Sequence, residues 1–292
     1  SMVGRTLALV SVLGVDLQPA GWRLTDASGT DHRRAASLLS QDLDTVEELT
    51  QNHSGAFKVQ VTGPWTLAAT VERPRGDKVL ADHGARRDLA QALADGVTGH
   101  IDDVRRRTDS AEIVVQIDEP ALPAVLSGSI PTASGFGRHR SVTSADAAAA
   151  LGWVADAVVG AGAIPVLHCC APALPWAVVA ETSLKTVSFD LARVTKAEYD
   201  DVAGWVESGR QVWPGLVPAV DPDRWPTGAD LTTQLLRWWS DLGYTEVEGL
   251  PDMAVTPACG LAGASPRWAR EALGLAAQVT RNLSAEQGRM QG

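Results

Sequence analysis

Three side chains able to bind a soft metal sit at the end of one apolar stretch, Ile164-Pro165-Val166-Leu167-His168-Cys169-Cys170. The chain has only three cysteines. The third, Cys259, closes a comparable stretch, Met253-Ala254-Val255-Thr256-Pro257-Ala258-Cys259-Gly260. Both stretches read as buried β-strands with thiols at their C-terminal ends. Residues i and i+2 of a strand share a face, so His168 and Cys170 can grip one ion while Cys169 points to the other side. Zinc takes Cys and His ligands in tetrahedral geometry, and catalytic zinc keeps one position open. Cys259 would be a third ligand from a later strand, and Asp190 offers a carboxylate as a fourth. Spacing alone is equally compatible with a different state, in which the cysteines are buried and inert.

A second group of residues lies at two other strand ends. Thr62-Gly63-Pro64 closes one strand and Asp118-Glu119 closes another. The acidic pair can bind a substrate ammonium group or hold a catalytic proton. It can equally be structural, capping a neighbouring turn or meeting an arginine. Trp205, Trp213, Trp238 and Trp239 read as packing residues. Arg105-Arg106-Arg107 reads as a solvated helix end.

The elements that must position these groups alternate. Helices are expected at 31–51, with a stripe of Leu38, Leu39, Leu43, Val46 and Leu49, and at 85–105, with Leu89, Leu93 and Val97 inward. Others are expected at 65–71, at 144–161 with Ser144 as the cap, at 199–207, 231–242 and 266–283. Strands are expected at 57–61, 113–117, 164–168, 186–190, 212–217 and 253–258. Residues 16–22 read as a loop because of their Pro and Gly, and 127–143 as a mobile loop. Strand–helix alternation at this spacing gives a parallel α/β sheet of the (β/α)8 barrel type. Six strands are countable where a barrel needs eight, and the shortage falls at the N-terminus. No linker, repeat or low-complexity tract divides the chain, so 1–292 reads as a single domain.

Composition narrows the function. The 292 residues carry a formal net charge of -10, with 45% hydrophobic and 21% charged residues. That argues against broad nucleic-acid or anionic-membrane binding. No apolar run reaches the roughly 20 residues of a membrane helix, and no signal peptide is visible. Three cysteines do not make a disulfide framework. Reducing cytoplasm is the expected compartment, where grouped thiols mean metal or catalysis.

Four motifs, in order, resemble the cobalamin-independent methionine synthases. Val61-Thr62-Gly63-Pro64-Trp65-Thr66 is similar to their T-G-P-x-T turn. Val115-Gln116-Ile117-Asp118-Glu119-Pro120-Ala121-Leu122 is similar to their Q-I-D-E-P-A-L segment. His168-Cys169-Cys170 resembles their H-x-C zinc motif, and Thr256-Pro257-Ala258-Cys259-Gly260-Leu261 their N-P-D-C-G-L segment. The resemblance covers essentially the whole chain and implies the C-terminal catalytic barrel in a short, single-domain form. It implies zinc-dependent methyl transfer to the sulfur of homocysteine. His168, Cys170 and Cys259 fall on zinc positions, and Asp190 falls where the family usually has Glu. Asp118 falls on the position that holds the homocysteine amino group, with Glu119, Gly63 and Pro64 beside it in the same motifs.

Two departures from the family pattern lie on the folate side. Val220 stands where the methyltetrahydrofolate enzymes carry a histidine, and about Thr70 stands where they carry a folate-stacking Trp. A methylated corrinoid, free as methylcobalamin or bound to a protein, is therefore the expected donor. Val3-Gly4-Arg5-Thr6 resembles the start of the helix after the family's second strand, so the first one or two barrel strands have no counterpart and weak or absent turnover is expected of this chain. Other readings are a zinc alkyltransferase using another thiol such as coenzyme M, a non-catalytic or decarboxylase-like relative of the same barrel superfamily, and a protein that binds a corrinoid protein without turnover.

Overall fold

The computed structural model describes residues 2–244 and 253–290. They fall into two compact units. One comprises residues up to Leu167 with Ala177–Leu184, the other His168–Trp176 with the residues from Lys185 onward.

The first unit opens with helix α1 (Met2–Leu7), so Val3-Gly4-Arg5-Thr6 is helical, as the resemblance implied. The expected loop at 16–22 is instead the turn of a β-hairpin, β1 (Gly14–Gln18) with β2 (Gly21–Thr25). Pro19-Ala20 supplies a two-residue turn, and Gly21 takes φ +126°, which L side chains rarely adopt. Cross-strand pairs Val15–Leu24 and Leu17–Trp22 set the register. Helix α2 (Thr30–Leu49) buries Leu39 and Leu43, but Leu38 and Leu49 are 51% and 78% exposed, so the inward stripe is narrower than its sequence pattern.

Strand β3 (Ala56–Thr62) leads into the short helix α3 (Pro64–Thr70) and then α4 (His83–Arg107), which buries Leu89, Leu93 and Val97 completely. The three arginines at the end of α4 pair with carboxylates; Arg107 meets Asp44, Glu47 and Asp103. Strand β4 (Glu112–Asp118) pairs parallel with β3. One face of the pair carries Val61, Val115 and Ile117, all buried, each worth roughly 1.5–3 kcal/mol of burial. The other face carries Lys58, Gln60, Thr62, Gln116 and Asp118.

Helices α5 (Leu122–Leu126) and α6 (Ser144–Gly160) follow. The cap of α6 is Thr143 rather than Ser144: the Thr143 hydroxyl accepts from Asp146 N–H at 3.1 Å. The segment between them, expected to be mobile, is held by its own hydrogen bonds, His139 N–H to Ile130 C=O at 2.9 Å and Arg138 to Ser129 C=O at 2.9 Å.

Strand β5 (Ile164–Cys169) and helix α7 (Trp176–Ala180) each have residues in both units. The second unit contains β6 (Thr186–Asp190), α8 (Tyr199–Glu207), β7 (Gln211–Val217), α9 (Gly228–Asp241), β8 (Thr256–Pro257) and α10 (Pro266–Met290). Strands β6, β7 and β8 pair in parallel. The last strand was expected over 253–258, yet only two residues pair. Pro257 has no N–H to give to a ladder, and the register shifts between Gly215 and Val217. Trp205, Trp238 and Trp239 are buried packing residues.

The main sheet has six strands in sequence order, β3-β4-β5-β6-β7-β8. Sequential parallel strands with intervening helices define an α/β fold of the (β/α)8 type, here a partial barrel. Among the described residues no helix is long and apolar enough to cross a membrane.

Candidate metal centre and a capped strand corner

In a (β/α)8 fold the chemistry gathers at the C-terminal ends of strands. In the first unit that end is the corner where β3 turns into α3. Pro64 opens α3 and has no N–H to satisfy, which leaves the next amides as orphan donors. The Glu119 carboxylate takes them: it accepts from Trp65 N–H and Thr66 N–H, each at 2.8 Å, and from the Thr66 hydroxyl at 2.7 Å. The Thr66 hydroxyl in turn accepts from Ala121 N–H at 3.2 Å. Glu119 has no exposed surface. Burial pushes its pKa up to about 7, with a smaller push from the Asp118 charge, against the opposing pull of the Thr66 and Trp65 donors.

Gly63 explains itself by space. A Cβ there would lie 2.3 Å from Glu119 Oε1. Its N–H donates to Asp118 C=O at 2.8 Å, which closes the corner. Thr6 of α1 braces the same point, its hydroxyl accepting from Thr62 N–H at 2.7 Å. Asp118 is buried and points to the polar face of β4. Its Oδ1 accepts from Gln116 Nε2 at 2.7 Å, and Gln116 Oε1 accepts from Lys58 Nζ at 3.1 Å. Gly63, Pro64, Asp118 and Glu119 thus lie at one corner, as expected from sequence.

In the second unit the end of β5 and the segment after β8 bring His168, Cys170 and Cys259 together. One ligand atom of each lies within 4.8 Å of the others. Cys169, between the first two, is turned into the core with no exposed surface. The two sulfurs of Cys170 and Cys259 are 3.5 Å apart. Two sulfurs each ~2.3 Å from a tetrahedral zinc would be ~3.8 Å apart. His168 is buried, and its Nδ1 lies 3.1 Å from Ser188 Oγ. Its Nε2 is buried without a hydrogen-bond partner. A buried donor or acceptor left unmade costs about 1–3 kcal/mol, and a metal ion at this point would remove that cost. The cluster grades from buried His168 to exposed Cys259, so one flank is open to an incoming ligand.

The thiols of Cys170 and Cys259 face each other within hydrogen-bond range. Pairing with Cys170, and then the nearby His168, lower the Cys259 thiol to about 4; the same pairing, with burial, pushes Cys170 up. A thiolate is the form that binds zinc. The donor set, the sulfur spacing and the partnerless nitrogen all fit zinc. Asp190 is not brought into this trio. Its Oδ1 accepts from Ala192 N–H and its Oδ2 pairs with Arg193 Nε, each at 3.1 Å.

Sequence reading did not single out Ser188, Thr66, Gln116 or Thr6. Alternation could have found two of them. Ser188 is two residues before Asp190 and Gln116 two before Asp118, each on the same strand face as the residue that drew notice.

The fold is of the parallel α/β barrel class, here with a His/Cys cluster at strand ends that could hold a metal ion. Within that class, the family model for the catalytic domain of cobalamin-independent synthase matches residues 33–282. The chain belongs to that family, whose members are methionine synthase-type methyltransferases. Comparison with curated proteins gives no match.

Proposed function

We propose that this chain binds one zinc ion through His168, Cys170 and Cys259 and transfers a methyl group to the thiol of homocysteine. The observation that carries the reading is the cluster itself, one ligand atom each of His168, Cys170 and Cys259 within 4.8 Å of one another. Zinc bound there supplies Lewis acidity, which lowers the pKa of a coordinated thiol so that it ionises at neutral pH. The chain's own part is to exclude water on the buried flank, to hold His168 in one orientation and to leave the Cys259 flank open for the substrate. Asp118, held by Gln116, is the proposed partner of the substrate ammonium, with Gly63 and Pro64 shaping the corner beside it and Glu119 keeping that corner closed. Asp190 joins the ligand set on this reading only by leaving Arg193.

The proposed donor is a methylated corrinoid. Val220 is 56% exposed and has no proton to transfer, and the Thr70 hydroxyl is spent on Thr66 C=O at 2.7 Å. Neither offers the histidine or the stacking ring that a folate donor would use in the resembling enzymes. In the reaction the sulfur–carbon bond forms as the methyl–cobalt bond breaks heterolytically. The electron pair stays on cobalt as Co(I), and the thiol proton goes to solvent. The test is turnover of homocysteine by zinc-loaded protein with methylcobalamin and, separately, with methyltetrahydrofolate. Methionine from the first, at a low rate because the first barrel strands lack a counterpart, and none from the second is expected. The reverse result removes the corrinoid, and methionine from neither removes the methyltransferase reading for this chain.

A further inference from the structure

We infer that Ser188 is a positioning residue for the metal centre: its hydroxyl holds the His168 imidazole in the tautomer and orientation that present Nε2 to the ion. This rests on the zinc reading above and extends it to a residue that binds no metal itself.

The argument starts from β6. Its residues alternate, so Ser188 and Asp190 share one face and Phe189 lies on the other. Phe189 is locked from behind by aromatic packing. Its ring meets Trp176 edge-on at 5.6 Å between centroids and Trp238 at 6.0 Å, and Trp176 also meets Trp205 at 5.9 Å. The backbone on either side of Phe189 is therefore fixed, and Ser188, 2% exposed, projects from a rigid strand. Its Oγ lies 3.1 Å from Nδ1 of His168, itself 6% exposed.

Imidazole has two nitrogens and, when neutral, one proton. Nε2 can bind an ion only if the proton is on Nδ1, and a protonated Nδ1 needs an acceptor when buried. The Ser188 hydroxyl is that acceptor. Without it the ring either leaves Nδ1–H unsatisfied or moves its proton to Nε2, and both outcomes weaken metal binding. Partners of this kind typically change metal affinity by 10–100-fold.

The test compares the wild-type chain, Ser188→Ala and Ser188→Thr by zinc competition against a chromophoric chelator. Nitrogen-15 NMR of His168 in the zinc-loaded wild type and urea unfolding of the three metal-free proteins complete it. Ser188→Ala is expected to weaken zinc binding by about 10–100-fold, and Ser188→Thr, which keeps the hydroxyl, to restore most of it. The wild-type spectrum is expected to show a protonated Nδ1. Affinity in Ser188→Ala within twofold of a zinc-binding wild type overturns the role of Ser188 alone, as does an unprotonated Nδ1. A loss in Ser188→Ala that tracks a matching loss of metal-free stability and is not restored by threonine makes the residue merely structural, and also overturns it. A wild type that binds no zinc overturns the metal reading and this inference with it.

Discussion

Two strand ends in this chain carry buried acid or metal-binding groups, and they are finished in opposite ways. At the β3–α3 corner, Glu119 accepts three hydrogen bonds from Trp65 and Thr66, and Gly63 gives up its side chain to make room. At the β5–β6 end, His168 Nε2 is buried with no partner and two thiols face each other across 3.5 Å. Buried polar groups are normally satisfied. The Glu119 carboxylate of the first corner is therefore satisfied as it stands. The second end brings an imidazole nitrogen and two thiols within 4.8 Å of one another, and that convergence points to a ligand. The contrast separates two roles that the sequence leaves side by side.

The comparison breaks first at Cys259. Cys259→Ala removes one of three ligands, and zinc affinity is expected to fall by more than ~100-fold, beyond the effect of any residue that only orients a ligand. Its unfolding free energy without metal should change little, because the side chain is exposed. Chelator competition and urea unfolding measure the two sides.

Glu119→Ala should do the reverse. It strips the acceptor from three donors and is expected to cost roughly 3 kcal/mol of stability, with zinc affinity unchanged in the protein that remains folded. Gly63→Ala should destabilise in the same direction, since its Cβ would meet Glu119. Loss of zinc binding with full stability in either variant would erase the contrast.

A pH series sharpens it. Glu119 has its pKa raised by burial from 4.5 to about 7. Between these values the folded chain keeps a proton that the unfolded chain has released. The contribution of this group to stability is thus greatest below pH 4.5 and is lost as pH rises to 7. The stability of wild type minus that of Glu119→Gln should fall across this window, by on the order of 3 kcal/mol. A difference that is flat or rises with pH would mean that the three donors outweigh burial.

The smallest effect is expected at Asp190. Its carboxylate is occupied by Ala192 and Arg193, so Asp190→Asn should lower zinc affinity by less than about tenfold, below the 10–100-fold range of an orienting partner. A loss as large as that of Cys259→Ala would place Asp190 among the ligands.

These contrasts also explain what was legible in the sequence. Local signals carried far: alternation marked β3, short strand-like runs marked β4 and β6, and the i, i+2 spacing of His168 and Cys170 marked a shared face. Cys259 was legible because so few thiols are present. The hairpin at 14–25 was not, since its Pro-Gly content matches a loop and its pairing depends on contacts across the turn. The brevity of β8 depends on a register shift that no local pattern encodes. Asp190 had the right residue type at the right strand end. Its engagement with Arg193, three residues on, is a competition between partners that spacing cannot decide. Asp118 and Glu119 are adjacent and alike in sequence. Only the fold separates them, sending one to the polar face of β4 and the other into the cap of α3.

The central claim is that His168, Cys170 and Cys259 together bind zinc. Elemental analysis of the purified chain beside Cys259→Ala tests it most directly. The account expects about one zinc per chain in the wild type and none in the variant. No zinc in the wild type, even after zinc is supplied, would contradict it and leave the cysteines as structural residues.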